Sequence, residues 1–167
     1  VIYNVVRMPR FNMKFVYDMV FQVCIVLLVV VFLYYIRVTL KNMTSKKLLV
    51  VVDYQKDFVD GALGAPGTKE LEPIIVEKIE QYKKDNQDVI FTKDTHYTNY
   101  LTTREGKHLP VEHCIIDSEG HALYGKVADY EKDAKKVFNK TTFGSRELAK
   151  YISRSDYEEV EFCGLVS

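Results

Sequence analysis

The chain has 167 residues, and its 23 basic and 23 acidic side chains balance to zero, a length that fits one domain or one domain with an appendage. That zero conceals an asymmetry: residues 1–42 carry +4 and residues 43–167 carry −4, so the larger part lacks the basic face of a nucleic-acid binder. Cys24, Cys114 and Cys163, none in a CxxC spacing, exclude a disulfide framework and a zinc knuckle and favour a reducing compartment, while 13% aromatic with 28% charged residues excludes disorder.

The first element is apolar. Between Asp18 and Arg37 lie 18 uncharged residues, all apolar except Gln22. As a helix they extend about 27 Å, close to the ~30 Å hydrocarbon core of a bilayer. Tyr34 and Tyr35 fall at the interfacial position. The pattern predicts a single transmembrane helix over residues 19–36. No small-x-small site follows it, which disfavours a cleaved signal peptide. Arg7, Arg10 and Lys14 precede the span and Arg37, Lys41, Lys46 and Lys47 follow it. The small excess places the following domain in the cytoplasm. A competing reading takes residues 1–42 as upstream sequence translated in frame, because the chain opens on Val and Met43 is followed at once by Thr-Ser-Lys-Lys and a strand.

From Met43 the chain alternates strand and helix. Residues 47–53 (KLLVVVD) form a continuous apolar run, as in a parallel strand covered on both faces. A glycine-rich loop over 60–67 leads to a helix over 72–85, with Pro73 in its first turn and Ile75, Ile79 and Tyr82 as its inner stripe. A second strand covers 88–92. Residues 93–134 form an irregular stretch too long for an ordinary connection, and therefore functional. A third strand over 136–138, a helix over 144–153 and a fourth strand over 159–164 complete the pattern. This is an α/β domain over 43–167, a doubly wound parallel sheet in a three-layer α/β/α arrangement. Only three residues follow the fourth strand, which would leave that flank bare. The domain is accordingly expected to be truncated at its C-terminus, and its sheet edges favour homo-oligomers.

Ligands of such sheets bind beyond the carboxyl ends of the strands. Asp53, the segment Lys93-Asp94-Thr95-His96, Asn139-Lys140 and Leu165-Val166-Ser167 all fall there. Positions i and i+2 at a strand end point the same way, so Asp94 and His96 can share one ion, with His113 as third ligand and Glu105 as a fourth. Three protein ligands with open positions suit a catalytic divalent metal: zinc first, manganese or iron as alternatives. Asp53 closes an apolar strand, where a carboxylate needs a partner, and Lys140 ends the third strand beside it. An unrelated surface Asp–His pair and a solvated strand-end lysine are the plain alternatives.

Asp53-Tyr-Gln-Lys-Asp-Phe58 with Gly61-Ala-Leu-Gly64, then Lys93-Asp-Thr-His96, Leu109-Pro-Val-Glu-His113, Lys140-Thr-Thr-Phe143 and Phe162-Cys-Gly-Leu-Val-Ser167 together resemble the isochorismatase-like cysteine hydrolases. Within that superfamily they look most like nicotinamidases. The resemblance implies an Asp–Lys–Cys triad, with Asp53 and Lys140 as its first two members. It implies a metal site of Asp94, His96 and His113, to which Glu105 adds a ligand used by some members, and Phe58 as an aromatic beside the substrate ring. The family nucleophile follows the Gly-Leu-Val of the fourth strand by several residues, beyond Ser167. Cys163 then reads as a core residue and Cys114 as non-catalytic. The implied reaction converts nicotinamide to nicotinate and ammonia in NAD salvage through a cysteine thioester, with the metal on the pyridine nitrogen. Hydrolysis of another small amide or of isochorismate, and a membrane-tethered non-catalytic binding module, remain the alternatives.

Overall fold

The computed structural model describes residues 13–165. Arg7 and Arg10 of the flanking-charge pattern, and Val166 and Ser167 past the last strand, lie outside the described residues. The chain divides into two compact units, residues 1–44 and residues 45–167.

The first unit is one helix, α1 (Met13–Thr44), longer at both ends than the 18-residue span expected. No glycine or proline occurs between residues 13 and 60, so nothing in the sequence stops the helix at the charged flanks. Its apolar side chains face outward on every side; Leu28, for example, is 70% exposed. Over Met13–Leu40 the helix is long and apolar enough to cross a membrane. A helix apolar all round has no polar face to turn to water.

The second unit holds four strands, β1 (Lys47–Val52), β2 (Asp88–Asp94), β3 (Lys136–Lys140) and β4 (Glu159–Gly164), and four helices. The helices are α2 (Lys56–Val59), α3 (Glu72–Lys84), α4 (Arg104–His108) and α5 (Arg146–Ser153). The sheet runs β3-β2-β1-β4, all parallel. Alternate residues of the apolar runs serve opposite faces. Leu49, Val51, Val89 and Phe91 pack with Ile75, Ile79 and Tyr82 of α3. Leu48, Val50, Ile90 and Phe138 pack with Leu148 and Ile152 of α5. Helices therefore cover both faces, which is the doubly wound arrangement expected. On the edge strand β4, Phe162 is 58% exposed.

The strand ends differ from the expected ones in a way that matters for the site. β2 and β3 each run two residues further, pairing Lys93 with Asn139 and Asp94 with Lys140. Both lie past the expected end of the strand at residue 92, yet Lys93 and Asp94 are buried with partners and the ladder continues through them. β1 stops one residue early because Asp53 adopts a left-handed backbone, φ 46°. Residues 93–134 are less irregular than expected: they hold α4, 3₁₀ turns at Tyr100–Thr102 and Gly125–Tyr130, and a bridge from His96 to Ile115. α5 begins at Arg146 rather than at residue 144, since the Ser145 hydroxyl caps it by accepting the Leu148 N–H at 3.1 Å.

Candidate active site

Three strand ends meet at one edge of the sheet. The left-handed turn at Asp53 directs its carboxylate toward β3, and Asp53 Oδ2 lies 2.6 Å from Lys140 Nζ. The pair is buried, with side-chain exposures of 2% and 6%. Asp53 Oδ1 also accepts the Thr92 hydroxyl at 2.7 Å. A carboxylate in so dry a place requires partners, and this one has a cation and a hydrogen-bond donor. Lys140 Nζ reaches the second cluster as well, 3.7 Å from Asp94 Oδ1.

That second cluster is Asp94, His96, Glu105 and His113, whose ligand atoms all lie within 4.8 Å of one another. β2 supplies Asp94, the bridge after it supplies His96, α4 supplies Glu105, and the loop back toward the strand supplies His113. His96 Nε2 stands 3.0 Å from Asp94 Oδ2 and 3.7 Å from Glu105 Oε1, and His113 Nε2 stands 3.5 Å from Asp94 Oδ2. Ligands sharing one tetrahedral ion at ~2.1 Å are roughly 3.4 Å apart, so the spacing fits. His96 Nε2 is buried and makes no hydrogen bond among the described residues; a buried polar atom left in that state fits a ligand site. On the other ring, His113 Nδ1 donates to the Val111 carbonyl at 2.8 Å, which orients the ring with Nε2 toward Asp94.

Burial works against charge on both Asp94 and His113 and is the largest single influence on each, but their partners together outweigh it. The His113 hydrogen bond, Lys140 and His96 hold the Asp94 carboxyl below its ordinary range. Against the same burial, Asp94 and the Val111 carbonyl raise His113. Aromatic rings close the back of the cluster. Tyr100 is fully buried, its ring centroid 4.6 Å from His96 and 5.0 Å from His113, and Phe58 stands 5.6 Å from His113. In front opens a cleft of about 660 Å³, with His96 and Glu105 on one side and Thr141, Thr142 and Phe143 on another. Its size is that of a small-molecule site.

Every residue singled out from the sequence for chemistry is thus brought to this one edge. Glu105 is the most accessible ligand, at 42%. Three participants were not anticipated. Gln55, fully buried, accepts the Asp94 N–H at 2.7 Å and donates to the carbonyls of Asp94 at 2.9 Å and His121 at 3.0 Å. Thr92 and Tyr100 are the others. The signal for Gln55 was available, since a long amide two residues past a strand-end acid is suited to bridging backbones. His121 is buried as well and shares a 2.9 Å hydrogen bond with Thr95. Burial pushes the Cys114 thiol far above its ordinary value and the Cys163 thiol up to about 11, so neither is activated for attack.

The chain matches the isochorismatase domain over residues 47–167. Comparison with curated proteins gives no match. Among solved structures it is similar to a pyrazinamidase/nicotinamidase from Streptococcus mutans, at 25% identity and TM-score 0.64 over 72% of each chain. It is similar to the nicotinamidase/pyrazinamidase of Bacillus subtilis, at 29% identity and TM-score 0.63 over 72% of this chain and 71% of that one. A third is the pyrazinamidase of Pyrococcus horikoshii in complex with zinc, at 28% identity and TM-score 0.58 over 72% and 70%. With the family match running from the first residue of β1 through the whole sheet, the chain belongs to the isochorismatase family, and its structural neighbours are nicotinamidases and pyrazinamidases.

Proposed function

We propose that this domain is the core of a metal-dependent amidohydrolase that converts nicotinamide to nicotinate and ammonia. One observation carries the reading: Lys140 bridges the two clusters, 2.6 Å from Asp53 and 3.7 Å from Asp94, so the acid–base pair and the ligand residues form one continuous charged network. Asp53 is the proton acceptor, and Lys140 supplies the cation that favours a thiolate beside it. Asp53 then returns the proton to the departing ammonia. Phe58 offers an apolar ring to an aromatic substrate. Asp94, His96, His113 and Glu105 would hold a divalent ion, zinc by donor set, which supplies a Lewis-acidic anchor for the ring nitrogen. Because burial raises both Cys114 and Cys163, and Cys24 belongs to α1 of the other unit, the reading takes the nucleophile to be a cysteine outside residues 1–167.

A second reading, a membrane-tethered binding module, rests on that same burial of Cys114 and Cys163. The two are separated by ammonia release from nicotinamide, measured on residues 1–167 and on the product of the parent gene through its stop codon. The enzyme reading expects release only from the longer chain, abolished by Asp53→Asn. Binding of nicotinamide without release favours the module. Release from isochorismate or other amides in preference to nicotinamide would reassign the substrate. We further propose that α1 anchors the domain to a membrane on its cytoplasmic side, supported by the outward apolar faces of Met13–Leu40 and the basic residues Arg37, Lys41, Lys46 and Lys47 that follow the uncharged run 19–36.

A further inference from the structure

Asp57 in α2 makes no ion pair among the described residues. Its carboxylate instead takes two backbone N–H groups, Cys114 at 2.7 Å on Oδ2 and Ala62 at 3.3 Å on Oδ1. Cys114 is the residue after His113, and it stands in the left-handed region at φ 46°. A side chain is strained there, and such a backbone persists only where its surroundings hold it. The Cys114 carbonyl faces the other way and accepts the His96 N–H at 2.9 Å. One peptide residue therefore links the Asp57 carboxylate to the backbone of both His96 and His113, whose ring centroids are 4.7 Å apart. Gly120 completes the arrangement. Its carbonyl accepts the Asp57 N–H at 3.1 Å, and a Cβ at position 120 would run into the Asp57 carboxylate.

We propose that Asp57 is a positioning residue for the metal ligands: its carboxylate holds the left-handed turn at Cys114 that brings His113 and His96 onto one ion, and Gly120 leaves the room that the carboxylate occupies. The inference rests on the metal reading of Asp94, His96 and His113. Asp57 touches neither ion nor substrate, so its effect reads out in affinity and coordination rather than in a lost chemical group. Partners that orient ligands in this way change metal affinity by roughly 10–100-fold when removed.

The test uses the full chain in detergent micelles. Zinc affinity is read by competition with a chromogenic chelator, and cobalt(II) serves as a visible-absorption probe of coordination. Asp57→Ala is expected to weaken zinc binding roughly 10–100-fold and to alter the cobalt bands. Asp57→Asn keeps one oxygen for the Cys114 N–H and recovers most of the affinity. Gly120→Ala alters no ligand and no cysteine, yet displaces the carboxylate and weakens binding in the same direction. If Asp57→Ala does not fold by circular dichroism, Gly120→Ala and Asp57→Asn decide alone. Folded Gly120→Ala with zinc affinity and cobalt bands as in the parent chain would overturn the proposal, as would Asp57→Ala that melts earlier but binds equally. A parent chain that binds no zinc sinks the metal reading itself, a result distinct from a parent that binds and variants that match it.

Discussion

Replacing Lys140 with Met tests the centre of the site, because it removes the cation and keeps most of the apolar stem. Asp53 then sits 2% exposed, with the Thr92 hydroxyl as its remaining partner. Solvent-exposed ion pairs contribute about 0–1 kcal/mol, whereas removing one member of a buried pair costs about 3–5 kcal/mol, since the other charge is left uncompensated. The Thr92 hydrogen bond keeps the expected loss at the lower end, about 3 kcal/mol. For an α/β domain of this size that lowers Tm by roughly 10–15 °C. The measurement is thermal unfolding of the metal-free chain by circular dichroism, with Asp53→Asn and the double variant completing a cycle. The double variant should be less destabilised than the sum of the singles, by about 1–3 kcal/mol. A Tm within ~3 °C of the parent together with an additive cycle would refute the reasoning, because a desolvated pair cannot behave as a surface one.

Burial, aided by the charge of Lys93, holds His121 below its ordinary pKa, so the unfolded chain takes up a proton near pH 6.5 that the folded chain refuses. Stability from this group is present above that pH and falls as the pH drops, by at most about 1.4 kcal/mol per pH unit. The stability gap between the parent and His121→Gln, read by urea unfolding, should be wider at pH 7 than at pH 5; a gap that widens on acidification contradicts the assignment. Glu105→Gln should weaken zinc binding less than His96→Ala, since Glu105 is 42% exposed and His96 is buried; equal losses in the chelator competition would argue against that ranking. Leu28→Arg near the middle of Met13–Leu40 places a charge costing about 2.5–3.5 kcal/mol at a helix centre. It should shift the chain from the carbonate-resistant membrane fraction toward the soluble one, and an unsubstituted chain that is itself carbonate-extractable would remove the anchor.

The order of strands and helices was legible in the chain because it depends on local pattern. KLLVVV has the unbroken apolar run of a doubly covered strand, and Ile75, Ile79 and Tyr82 repeat at helical spacing. Asp94, His96 and the Asp53–Lys140 pair were legible for the same kind of reason, since each is a charged or chelating residue at or just past the carboxyl end of a strand. The reading failed where a local signal was overruled from a distance. β2 was expected to end at residue 92, but partners on other segments, Glu131 and Lys140, keep Lys93 and Asp94 in the ladder. His121 stands in a turn, yet the packed chain around it gives it a dry environment and Thr95 a hydrogen bond. Gln55 and Asp57 carried no periodic signature, because their partners, the backbones of Asp94 and Cys114, are 39 and 57 residues away. The sequence by itself determined which groups are present and on which strand ends they stand. Only the tertiary structure decided their spacing and charge state, since those depend on register, on two left-handed turns at Asp53 and Cys114, and on the exclusion of water from the strand-end edge.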